Sequence, residues 1–126
     1  MISHVAIWTP NIERLRAFYE RYFHVESGPL YRSARRPFSS YFLRFRTGAA
    51  LELMQSPEVA EGAGGEERLG WAHIAVSLGS AEEVDRLTAR LRGEGIRVVS
   101  EPRWTGDGFY ESVVADPDGN RIELTI

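Results

Sequence analysis

The chain has no cysteine and no lysine. Without thiols there is no disulfide framework, no cysteine-type zinc site, no thiolate nucleophile and no iron–sulfur ligation. Without lysine there is neither lysine catalysis nor a phosphate-binding P-loop; all 15 basic side chains are arginine. Excess positive charge is lacking too. The net charge is −3, which leaves no basic footprint for nucleic acid. Long apolar runs are missing, since none approaches the ~18 residues of a spanning helix. Residues 1–10 lack the basic start and apolar stretch of a secretory signal. A soluble cytoplasmic protein is expected, and the absence of cysteine agrees with a reducing compartment. What remains is 126 residues of ordinary globular composition, 43% hydrophobic. That length suits one domain burying ~65–70% of the surface of its unfolded chain.

The chain repeats itself. Ser3-His4-Val5-Ala6-Ile7 resembles Ala72-His73-Ile74-Ala75-Val76, and Leu51-Glu52-Leu53 resembles Ile122-Glu123-Leu124. His4 and His73 lie 69 positions apart, as do Tyr41 and Tyr110, whereas Glu52 and Glu123 lie 71 apart. The two extra residues fit the turn Asp116-Pro117-Asp118-Gly119-Asn120, a hairpin signal. Alternation predicts strands over 2–8 and 72–78. Asn11 caps a helix to Phe23 with Ile12, Leu15, Phe18, Tyr19 and Tyr22 at helical spacing. Ser80 caps a second, with Glu83 completing a capping box, stripe residues Val84, Leu87 and Leu91, and Gly93 and Gly95 as its stop. Further strands are expected near Leu30, over 40–46 and 50–55, and over 97–100, 110–115 and 120–126. The fold class is therefore α+β, as two β-α-β-β-β modules, about 1–55 and 71–126, joined by a Gly-, Glu- and Ala-rich linker, 56–70. Each module is too small to stand alone. The two are expected to share a sheet surface, within one chain or across two.

Side chains alternate faces along a strand. With Val5, Ile7, Leu51, Leu53, Ile74, Val76, Ile122 and Leu124 turned to the helices, His4, Glu52, His73 and Glu123 take the opposite face. Two imidazoles and two carboxylates converging on the concave side of a curved sheet suit a divalent metal with mixed N and O ligands. Fewer protein ligands than coordination positions leave room for water or substrate. His24 has no repeat partner and reads as a surface or cap residue.

These segments, together with Asp116-Pro117-Asp118-Gly119-Asn120-Arg121-Ile122-Glu123-Leu124, resemble the vicinal oxygen chelate (glyoxalase/bleomycin resistance/dioxygenase) superfamily over nearly the whole chain. The His-Glu-His-Glu order is most similar to bacterial glyoxalase I-like proteins. The resemblance implies a glyoxalase-like cup built of the two modules, and a homodimer. It implies one divalent metal ion, Ni or Zn first and Co, Mn or Fe next, held by His4, Glu52, His73 and Glu123. It also implies a lactoylglutathione lyase-like reaction. A hemithioacetal of an α-oxoaldehyde and a thiol becomes a 2-hydroxyacyl thioester through a metal-bound enediolate. Glu123 is the expected main base, and Glu52 handles the opposite proton transfer. Other enzymes of the superfamily (an epimerase, a thiol transferase, a ring-cleaving dioxygenase) and a non-catalytic binding protein are the alternatives. The substrate is a small molecule, with no nucleic acid or membrane partner.

Carboxylates of a thiol adduct call for arginine. Arg14, Arg35, Arg36 and Arg103 are candidates, against a reading as solvated surface charge. Arg44 and Arg46 form an anion site or an exposed face. In Thr105-Gly106-Asp107-Gly108-Phe109 a loop beside the site is expected, with Phe109 or Tyr110 covering substrate, or else a tight turn with core aromatics. Trp8, Trp71 and Trp104 line a rim or, more simply, pack in the core.

Overall fold

The computed structural model describes residues 2–60 and 71–126. The chain divides into two compact units, Met1–Gly62 and Ala63–Ile126. Residues 61–70, most of the expected linker, lie outside the described residues. The class is mixed α+β.

In the first unit, β1 (His4–Trp8) leads to α1 (Ile12–Phe23). The helix starts where expected because the Asn11 carboxamide oxygen accepts from the Arg14 N–H at 3.0 Å, satisfying a donor the first turn leaves unpaired. It ends at His24, which takes the left-handed conformation (φ 50°) at the C-cap. Its buried stripe is Ile12, Leu15, Phe18, Tyr19, Tyr22 and Phe23, and it lies on β4 (Ser39–Arg44) and β5 (Ala50–Gln55). Leu15 is fully buried, which contributes about 2 kcal/mol. The strand expected near Leu30 is instead two short pieces, β2 (Glu26–Ser27) and β3 (Tyr31–Arg32). Gly28 and Pro29 separate them, and proline cannot donate to a ladder. The sheet order is β1-β5-β4-β2, with β3 also on β4. β1 runs parallel to β5, and β4 antiparallel to it.

The second unit repeats this plan with β6 (Ile74–Ser77), α2 (Ala81–Gly93), β7 (Val98–Trp104), β8 (Tyr110–Ala115) and β9 (Arg121–Thr125), in sheet order β6-β9-β8-β7. The Ser80 hydroxyl caps α2 by accepting from the Glu83 N–H at 3.3 Å. The Glu83 carboxylate turns to Arg86 at 3.0 Å. Inside the α2–sheet seam, the buried Thr88 hydroxyl donates to the Val84 carbonyl at 2.6 Å and lies 2.7 Å from the Ser112 hydroxyl. β7 runs four residues beyond its expected end at Ser100, crossing Pro102 with register shifts against β8. Bulges of this kind accommodate a residue that breaks the ladder.

One expectation about aromatic residues changes, and one alternative is chosen. Trp8, Trp71 and Trp104 are not core residues, being 40%, 89% and 64% exposed. The 105–109 segment is a tight turn, closed by the Thr105 N–H donating to the Phe109 carbonyl at 2.8 Å.

Candidate metal centre

Each unit pairs one imidazole with one carboxylate. In the first, parallel register sets Ala6 opposite Glu52, with His4 two residues back on the same face of β1. Leu51 and Leu53 are buried toward α1, so alternation turns Glu52 the other way. The His4 Nε2 lies 3.6 Å from Glu52 Oε2. On the other side of the ring, His4 Nδ1 and the Ser3 hydroxyl share a hydrogen bond at 3.0 Å. Such a bond orients a ligating imidazole and leaves Nε2 for the metal. Phe42, opposite Glu52 in register, meets the His4 ring edge-on at 5.2 Å. β5 itself is anchored to the helix start, since Gln55 Oε1 accepts from the Ile12 N–H at 2.7 Å.

The second unit uses the same register. Ala75 lies opposite Glu123, and His73 Nε2 stands 3.3 Å from Glu123 Oε2. The surroundings differ. Val113, not an aromatic ring, sits opposite Glu123, and Glu111 is its diagonal neighbour on the same face. Burial pushes the Glu123 carboxyl above its usual pKa, Glu111 adds to the rise, and His73 opposes it. Arg103 lies 3.6 Å from Glu111, so part of this negative charge is balanced.

Among the described residues no group of three or more metal-capable side chains is gathered; the four ligand-type residues stand as two pairs. Each pair nevertheless fits a metal. Two donors ~2.0–2.2 Å from one ion are about 3.3–3.6 Å apart in tetrahedral geometry and about 2.8–3.1 Å apart in octahedral geometry, and the separations of 3.6 and 3.3 Å match the tetrahedral spacing. Imidazole nitrogen with carboxylate oxygen is a donor set for zinc, nickel, iron or manganese.

The family model "Glyoxalase/Bleomycin resistance protein/Dioxygenase superfamily" matches residues 1–124. The chain belongs to this superfamily. Its members are usually enzymes that bind a divalent metal. The chain is similar in fold to the glyoxylase/bleomycin resistance protein/dioxygenase domain of Frankia sp. EAN1pec, at 17% identity and TM-score 0.85, covering 100% of this chain and 96% of that one. It is also similar to the trypanothione-dependent glyoxalase I of Leishmania major, at 23% identity and TM-score 0.78, covering 99% and 85%. Among curated proteins it matches YqjT of Bacillus subtilis (strain 168), 37% identical over 60 residues. That match spans 45% of this chain and 47% of YqjT, so about half of each.

Within the superfamily fold, the remaining candidates take different places. Arg103 shares the face of Glu111 and Glu123. Arg35 and Arg36 lie in the turn after β3, where both backbone N–H groups donate to the Ser33 hydroxyl at 3.2 Å. The Arg36 guanidinium lies 5.7 Å from the Phe38 ring centre. Arg14 is exposed on α1. Tyr110 faces α2, donating to Asp85 Oδ1 at 2.6 Å. Its repeat partner does the same, as the Tyr41 hydroxyl donates to Glu13 Oε1 on α1 at 2.7 Å. The repeated tyrosines thus tie strand to helix, and on β8 it is Glu111 that faces Glu123. Sequence reasoning passed over Glu111. Folding the hairpin about Asp118 sets 113 against 123 and brings 111 beside it, a signal already present in the turn.

Proposed function

We propose that the protein is a metal-dependent isomerase of glyoxalase I type, acting in the cytoplasm as a homodimer. One divalent ion would be held by His4, Glu52, His73 and Glu123. The observation that carries this reading is the matched pair of imidazole–carboxylate contacts, 3.6 and 3.3 Å, set in the same parallel register in two repeated units. The family match and the likeness to glyoxalase I of Leishmania major support it.

A bound ion supplies a positive charge beside the substrate's vicinal oxygens, which makes the neighbouring C–H acidic enough to lose its proton. Glu123 accepts that proton from the hemithioacetal carbon. Its half-buried setting beside Glu111 favours a carboxylate that takes up a proton. Glu52 would deliver a proton to the former carbonyl carbon, and exchange with solvent would then remove the proton from Glu123 and restore the one on Glu52. The hydroxyl proton ends on the former carbonyl oxygen, so atoms balance and the product is the 2-hydroxyacyl thioester. His4 and His73 position donors and exchange no proton.

Metal analysis of purified protein tests the reading. It should be followed by thioester assay from methylglyoxal and a thiol after reconstitution with Ni, Zn, Co, Mn or Fe. Bound metal and metal-dependent thioester formation are expected, with Glu123→Gln losing turnover. Absence of thioester with every metal and thiol overturns it.

A further inference from the structure

Beside Glu52 the first unit carries a cavity of about 510 Å³. That is within the ~300–1,000 Å³ typical of small-molecule sites. Its walls are aromatic. Tyr31 and Phe38 meet at 5.9 Å, and Phe42, the ring that touches His4, completes the lining. β3 brings Tyr31 there by pairing it with Ser40, two residues before Phe42 on the same face of β4.

The polar groups at the cavity are distributed by charge. Glu52 lies at one place in the lining and Arg44 at another. Arg44 stands opposite Glu26 in register, yet among the described residues its guanidinium makes no ion pair or hydrogen bond. This contrasts with Arg16, Arg86, Arg90, Arg92 and Arg103, each held by a carboxylate. An unpaired guanidinium presents the planar fork that takes a carboxylate with two hydrogen bonds. Glu52 repels an anion from its own part of the cavity, and the aromatic faces suit a flat apolar ring.

We propose that this cavity binds an aromatic ring bearing one carboxylate, with the acid group on Arg44 and the ring against Phe42, Tyr31 and Phe38. The substrate's non-reacting part is then an aryl carboxylate, a narrower class than any thiol adduct. This substrate assignment rests on the preceding reading, in which chemistry takes place at Glu52; the binding itself does not.

The test is calorimetric titration of the full chain, kept metal-free with chelator, with 2-naphthoate, the neutral 2-naphthamide and acetate. Saturable binding of 2-naphthoate is expected, about tenfold tighter than 2-naphthamide, as one charge-assisted contact provides. Acetate should not bind measurably. Arg44→Gln should reduce 2-naphthoate to the level of the amide and leave the amide unchanged. Phe42→Leu should weaken both aromatic probes and preserve their ratio. The proposal is overturned if 2-naphthoate binds no better than 2-naphthamide, or if Arg44→Gln leaves its affinity intact. Circular dichroism of each variant separates unfolding from lost binding. Metal content and thioester formation are scored separately on the same preparation. An inactive chain that binds 2-naphthoate through Arg44 sinks the isomerase reading alone, and an active chain that ignores it sinks this one alone.

Discussion

Glu123 is where stability and chemistry pull apart, and Glu123→Gln measures the conflict. Its side chain is only 16% exposed and has Glu111 as a diagonal neighbour across the β8–β9 ladder. Burial raises the Glu123 pKa, and the two carboxyl groups, which come within hydrogen-bonding reach of each other, raise it further. Coulomb's law at ~4 Å gives about 4 kcal/mol at an effective dielectric of 20 and about 1 kcal/mol in water. Arg103, 3.6 Å from Glu111, offsets part of this. A net repulsion of about 1 kcal/mol follows. The variant removes that charge while keeping the shape of the side chain. The comparison is made in alkaline buffer, where the Glu123 carboxyl, raised above its usual pKa, is ionised. With chelator present, Glu123→Gln should melt about 3–5 °C above the unaltered protein. Adding a divalent ion should reverse the order, because the unaltered protein gains binding free energy that the variant lacks. A variant no more stable than the parent in chelator would refute the reasoning. So would one that gains as much from metal.

Two further perturbations test the scaffold that presents the site. Tyr41→Phe removes a hydroxyl donor to Glu13 at 2.7 Å and should cost about 1 kcal/mol at pH 7 in urea unfolding. That bond is the main reason Glu13 titrates below its usual value. Its stabilisation is therefore present above the ordinary carboxylate pKa and lost as pH falls through the lowered one. The gap between parent and variant should narrow as Glu13 becomes protonated in acid, and a gap that stays constant would be contrary. Asp116→Ala deletes a carboxylate that accepts from the Asp118 and Asn120 N–H groups at 2.9 Å and from Asn120 Nδ2 at 2.8 Å. It should lower stability by about 2–3 kcal/mol and weaken metal binding through β9, and an unchanged denaturation midpoint would count against it.

How much was legible depended on how local the controlling physics is. Both helices could be bounded from Asn11, Ser80 and their apolar stripes, because capping and periodicity act within one or two turns. β5 and β8 were equally plain from alternation. The interruption at Gly28-Pro29 marks two short strands in retrospect, but local pattern does not say which partner each finds. Alternation could assign His4 and Glu52 to one face. Their separation depends on the Ala6–Glu52 register, a matter between strands 46 residues apart. Tyr110 shows the same limit. Its side of β8 is settled by Asp85 on α2, a tertiary contact without a local sequence mark. The Arg44 cavity was least visible, because it needs β3 folded onto β4 before Tyr31, Phe38 and Phe42 share a wall.

The strand positions of the four candidate ligands also set an order of events. Glu52 and Glu123 lie on β5 and β9, interior strands held by a neighbour on each side. His4 opens β1 and His73 directly precedes β6, strands at the ends of their sheets with one neighbour apiece. Local opening begins where fewest backbone bonds must break. The carboxylates are thus the fixed jaw and the imidazoles the hinged one. Within each pair, a bound ion would lose its histidine first and its carboxylate last, and reloading would begin at the carboxylate.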